Sequence, residues 1–287
     1  MMVDLVQVST RDGVRLDGML QSPESARRDW PIDAVCCIHG TGGNFYSSTL
    51  FDALAARCLE HGVAVLRINT RGHDGISNAV TARGGRRLGA AYEIVDECRH
   101  DLAAWIELLK ERGFPRVGLI GHSLGAVKCL YALAHEPALQ VACVIDISPP
   151  RLSYSWFCTS PEGPDFLKSY QQADALVQAG KPASLLEVTL PLPFAITAAG
   201  YVEKYGPDER YNFLHFINGV RCPLLITLGA IEVADNMAFR GSPEALAELA
   251  RKQPTLSVVM IANANHFYTD ARDELLVHIE SWIVGLR

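Results

Sequence analysis

"GLIGHSLGAVKCL", residues 118–130, sets an apolar run, a serine boxed by two glycines and a second apolar run end to end. The first run, with "RV" before it, reads as a strand, and "LGAVKCLYALAHE" reads as a helix. A residue at a strand-to-helix corner takes a strained backbone, and the chain on both sides comes close to it. Residues without a Cβ suit positions 121 and 125 for that reason. The corner lifts the Ser123 hydroxyl above the sheet edge, with a helix N-terminus behind it that favours developing negative charge. Ser123 is therefore the first candidate nucleophile.

Working outward, residues 3–8 and 14–20 alternate like half-exposed antiparallel strands around the turn "TRDG". Beyond them "AVCCI" (34–38), "VAVLRI" (63–68), "RVGLI" (116–120), "ACVIDI" (142–147), "PLLITL" (223–228) and "LSVVMI" (256–261) are nearly continuous apolar runs. Such runs suit strands covered on both faces. Helical patterns separate most of them, over 48–60, 92–112, 243–252 (with Ser242 as N-cap and Pro243 at the first helical position) and 271–286. Strands alternating with helices predict a mostly parallel, doubly wound sheet of about eight strands.

Residues 149–220 break the alternation. They hold no clear strand but many aromatics: Tyr154, Trp156, Phe157, Phe166, Tyr170, Phe194, Tyr201, Tyr205, Tyr211, Phe213 and Phe216. The expectation is a core of residues 1–148 and 221–287 carrying an inserted, mainly helical cap over 149–220.

Composition narrows the class. Of 287 residues 49% are apolar and 20% charged, and the net charge of −6 argues against a polyanionic partner. "GGRR" at 84–87 is too short for a nucleic-acid stripe. The opening "MMVDLVQVSTRDG" has neither the basic start nor the apolar centre of a signal peptide, and no 18 apolar residues run together. No membrane partner is expected. Of the eight cysteines, Cys36, Cys37, Cys143 and Cys222 fall in or beside strand-like runs, and Cys58, Cys98 and Cys129 on helical ones. They read as scattered buried thiols, which fits a reducing cytoplasm. Without C-x-x-C or zinc-spaced His/Cys pairs, no structural metal is expected.

Four motifs in order resemble the α/β-hydrolase superfamily of serine hydrolases over almost the full length. "GHSLG" (121–125) matches its nucleophile elbow and "HGTGG" (39–43) its oxyanion loop. "NTRGHDGIS" (69–77) resembles the arginine-glycine-histidine loop, and "NANHF" (263–267) the catalytic-histidine loop. The resemblance implies the α/β-hydrolase fold with Ser123 as nucleophile and His266 as general base, since His266 follows the last strand at the edge where the elbow ends. The family's acid sits beyond the strand after the cap in a G-x-x-D pattern. Here Gly229 is followed at that offset by Glu232, with Asp235 as the rival and Asp146 as a further candidate. The oxyanion donors implied are the backbone N–H groups of Thr41 and Leu124, with Gly42 as the alternative to Thr41. The remaining motif histidines, His39, His73 and His122, read as structural.

Asn44, Phe45 and Tyr46 follow the oxyanion turn and are expected at the entrance, with Trp156 and Phe157 contributing from the cap. Arg83, Arg86 and Arg87 read as a solvated face, with attraction of an anionic substrate tail as the minority reading and Tyr92 or Glu93 able to reach the pocket. The expected function is hydrolysis of a small or medium, partly hydrophobic carboxylic ester through an acyl-enzyme, with no cofactor. The alternatives are amide, lactone or carbon–carbon cleavage or acyl transfer on the same fold, and a non-catalytic ligand-binding receptor. Oligomeric state is open, a homodimer included.

Overall fold

The computed structural model describes residues 2–24, 29–81 and 84–286. In chain order the elements are β1 (Met2–Ser9), β2 (Arg15–Ser22), β3 (Ala34–Ile38), α1 (Thr49–Glu60), β4 (Ala64–Ile68), β5 (Ser77–Thr81), β6 (Gly84–Leu88), α2 (Cys98–Glu111), β7 (Val117–His122), α3 (Leu124–His135) and β8 (Cys143–Ile147). Then follow α4 (Tyr154–Thr159), α5 (Gly163–Gln178), β9 (Leu185–Val188), β10 (Phe194–Thr197), α6 (Ala198–Tyr205), β11 (Leu224–Gly229), α7 (Ala230–Asp235), α8 (Ser242–Ala250), β12 (Leu256–Ile261) and α9 (Arg272–Val284).

Eight strands form one sheet in the order β1-β2-β4-β3-β7-β8-β11-β12. Six of them pair in parallel, and β2 alone runs against the rest. Every residue of β3, β4, β7, β8 and β11 is buried, as the continuous apolar runs require, whereas β2 alternates. Alternation along each strand divides the core. Cys36 and Val144 face the layer holding α2 and α3, while Cys37 and Ile145 face that of α1 and α9. All eight cysteines are free, and burial pushes the Cys37 and Cys143 thiols up to about 12. No helix among the described residues is long and apolar enough to cross a membrane.

Four local features differ from the expectations. The segment between β8 and β11 contains a hairpin, β9–β10, whose four-residue strands are too short to show a period in sequence. A second hairpin, β5–β6, occupies residues 77–88, where glycines and arginines had hidden any alternation. The cap of α8 is Gly241 rather than Ser242. Gly241 is left-handed (φ 71°) and lies against the Trp156 indole, which moves Ser242 and Pro243 into the first helical turn. The second helix also begins late. Ile94 stays extended and a short 3-10 turn precedes Cys98.

Most cap aromatics pack on one another. Phe157 and Phe166 meet at 5.1 Å, Tyr154 and Tyr170 at 5.0 Å, and Tyr201 and Tyr205 at 4.9 Å. They are continuous with one face of the sheet core, sharing a buried cluster with Ile38, Leu124 and Leu228.

Candidate active site

Ser123 stands between β7 and α3, as the cap of α3, with φ 57° and ψ −128°, a combination outside the ordinary regions for an L-residue. Its neighbours leave no alternative. A Cβ on Gly121 would sit 2.5 Å from Ala126 Cα, and one on Gly125 would sit 2.1 Å from the Ile38 carbonyl oxygen. The loop that follows β3 lies directly against the serine, since a Cβ on Gly40 would come within 2.8 Å of Ser123 Cβ.

His266 stands on the loop after β12. His122 Nε2 donates to the His266 carbonyl at 2.8 Å, and the His266 ring lies between Phe239 and Phe267, each centroid 5.2 Å away. Burial, with the neighbouring His266, pushes His122 down to about 3, so it stays neutral and keeps this donor in place. His266 Nδ1 meets Glu232 Oε2 at 2.7 Å. A carboxylate on Nδ1 fixes the proton there and leaves the Nε2 lone pair free.

Glu232 is buried and well supplied with donors. Its Oε1 accepts the Gly229 N–H at 2.7 Å and the Ser148 hydroxyl. Ser148 in turn meets Tyr268 Oη at 3.0 Å, and Tyr268 meets Thr227 Oγ1 at 3.1 Å. Sequence reasoning missed Ser148, Tyr268 and Thr227. Ser148 has φ 53°, but nothing in "DISPP" marks that.

The rival acids lie elsewhere. Asp235 lines a cavity beside Ser123, but His266 Nδ1 bonds to Glu232. Asp146 is fully buried on β8, and neither carboxyl oxygen has a hydrogen-bond partner among the described residues. Burial alone pushes its pKa well above the carboxylate range.

Two cavities flank Ser123 and His266, and both are bordered by Thr41, Leu192 and Phe267. One, of about 360 Å³, is mainly apolar, with Leu124, Leu152, Tyr205, Ile231 and Phe239 in its wall. The other, of about 290 Å³, carries Asn44, Ser47, Ser48 and Thr49 beside Leu50 and Phe51. Leu192 reaches both from the β9–β10 turn, beside the cis Leu190–Pro191 peptide.

Several expected pocket residues are occupied with other work. Trp156 packs under Arg151 and on Gly241, and Phe157 is wholly buried; neither lines these cavities. Phe45 and Tyr46 also lie outside their walls. Tyr46 Oη and Asn44 Nδ2 donate to Asp74, at 3.0 and 2.8 Å, which braces the loop of residues 39–46. Gly42, at φ 63°, faces the Asp74 carbonyl, not the cavities. Of the eleven cap aromatics, Tyr205 is the one that reaches these walls.

The arginine stretch is a surface one, as expected of a solvated face: half-buried Arg86 pairs with Glu97 at 2.9 Å and exposed Arg87 bonds Tyr92 at 3.3 Å, while Arg83 lies outside the described residues. Glu93 is buried 2.5 Å from Lys128 Nζ and lines neither cavity.

Comparisons agree with this architecture. The solved structures of Est1E from Butyrivibrio proteoclasticus, with ferulic acid bound, and of esterase Pf2001 from Pyrococcus furiosus are both similar. The first superimposes with TM-score 0.69 at 17% identity, covering 98% of this chain and 99% of its own. The second gives 0.65 at 18%, covering 98% and 90%. The α/β hydrolase GrgF from Penicillium sp. sh18 gives 0.69 at 15%, covering 99% and 98%. No curated protein matches the chain. Identities this low speak for the fold alone. The match that names the family spans residues 35–278, and with the elbow and the eight-stranded sheet it establishes that this chain belongs to the alpha/beta hydrolase family.

Proposed function

We propose that the chain is a serine carboxylesterase with Ser123 as nucleophile, His266 as general base and Glu232 as the orienting acid. The observation that carries this is the 2.7 Å bond from Glu232 to His266 Nδ1, which frees Nε2 at a cavity wall shared with Ser123. In the reaction, Ser123 Oγ bonds to the ester carbonyl carbon as Nε2 takes its proton. The carbonyl π pair moves to oxygen and is held by the Thr41 and Leu124 N–H groups. Collapse expels the alcohol, protonated by His266, and water then repeats the sequence to release the acid.

The unequal cavities support an ester with one apolar arm, of aryl or medium alkyl size, in the larger chamber and a smaller, more polar arm among the hydroxyls. The ferulic acid held by Est1E is an arm of that type. A fluorophosphonate probe is expected to label Ser123 and abolish turnover of p-nitrophenyl esters, with amides and lactones turned over far more slowly. Full ester turnover by Ser123→Ala would overturn the assignment, and preference for amides or lactones would redirect the substrate class.

A further inference from the structure

Behind the oxyanion loop lies a buried chain of polar groups that the reaction above does not use. His39 is buried after β3, and its Nε2 accepts the Thr70 backbone N–H at 3.0 Å. Because an N–H can only donate, Nε2 carries the lone pair and the proton is on Nδ1. Nδ1 then donates to the Gly40 carbonyl at 2.8 Å. That carbonyl belongs to the same rigid peptide plane as the Thr41 N–H, so holding one edge of the plane aims the other.

The relay continues away from the site. Lys128 Nζ, on the nucleophile helix α3, donates to Thr70 Oγ1 at 3.0 Å. An ammonium offers no acceptor, so the threonine spends a lone pair there and turns its own hydrogen to His39 Nε2, 3.1 Å away. Lys128 is fully buried and balanced by Glu93 at 2.5 Å, and Glu93 lies 3.7 Å from Lys204 of the cap helix α6. Burial opposes ionisation of Glu93, but the two lysines outweigh it and hold its pKa below the usual range. Burial, aided by the Lys128 charge, drives His39 down to about 3, so its neutral tautomer persists across the working range of pH.

We propose that Glu93, Lys128 and Thr70 are positioning residues that act through His39 to hold the Gly40–Thr41 peptide in the orientation an oxyanion requires. The proposal rests on the esterase reading, in which Thr41 N–H meets the oxyanion. Losing an oxyanion donor outright costs about 10²–10³ in kcat. Loosening its aim, with the Thr70 N–H still on Nε2, should cost about tenfold.

Thr70→Val removes only the hydroxyl. Its kcat on a p-nitrophenyl ester is expected to fall about tenfold with KM within about twofold, and affinity for a trifluoromethyl ketone, which adds Ser123 and leaves an oxyanion, to fall in parallel. Thr70→Ser should restore both. The triple variant Glu93→Gln, Lys128→Met, Lys204→Met, which leaves neither lysine charge stranded without Glu93, should give the same split by at least as much. Its folding is checked by circular dichroism. Folded variants with wild-type kcat and wild-type ketone affinity would overturn the relay, as would a loss confined to thermal stability. Wild-type protein that fails to label at Ser123 would instead overturn the esterase reading, so the two failures are distinct.

Discussion

The carboxyl-terminal halves of β8 and β11, paired side by side in the sheet, each lead to a buried acid with opposite surroundings. Glu232, just past β11, has donors on both oxygens: Gly229 N–H and Ser148 on one, His266 on the other. Asp146, within β8, has none among the described residues. Burial is nearly the same, at 4% and 0% exposed, so donors and not depth separate them. An acid supplied with N–H and O–H groups has its oxygens held in place beside an imidazole. One surrounded by apolar strand residues keeps its proton.

That contrast can be broken most directly at Glu232. Glu232→Gln is expected to lower kcat by about 10³–10⁴-fold while substrate still binds, because the amide no longer selects the His266 tautomer. Steady-state kinetics on an activated ester decide it, and wild-type turnover would pass the role to another acid. Ser148→Ala sharpens the comparison by removing one donor from the good acid. A charge-assisted bond of this type is worth about 1.5–3 kcal/mol, only part of which reaches the transition state, so kcat should fall roughly tenfold.

The smallest effect on rate is expected at Asp146. Asp146→Asn should leave kcat unchanged and alter stability instead. Its folded pKa is raised, so folding retains a proton that the unfolded chain loses above about pH 4. The contribution of this group is therefore full below that pH and fades as pH rises towards the folded value. Thermal melts of wild type and Asp146→Asn should diverge from pH 4 to pH 8, with the variant gaining. Parallel melting curves would show that Asp146 is ionised and paired in the fold.

Legibility followed the range of the interaction. The elbow could be read because strand, glycine spacing and helix are consecutive; a Cβ at Gly121 meets backbone of that same corner, although one at Gly125 meets the distant end of β3. Positions 232 and 266 stood out because each closely follows an apolar strand, although the bond joining them spans 34 residues. The cap aromatics misled, since composition reports that rings are present and not which way they face. Phe157 turns into the core and Trp156 onto Gly241 and the Met237 carbonyl, while Leu192, an ordinary leucine on a turn, reaches both cavities.

Taken by itself, then, the sequence determined the strand–helix alternation, the family and the corner holding Ser123, all of which depend on local periodicity and on steric demands between near neighbours. Tertiary structure alone decided which acid has donors, which residues wall the cavities, and that a lysine on α3 reaches His39 through Thr70. Those outcomes depend on side chains from distant segments sharing one small, dry volume, where a displacement of an ångström makes or removes a hydrogen bond.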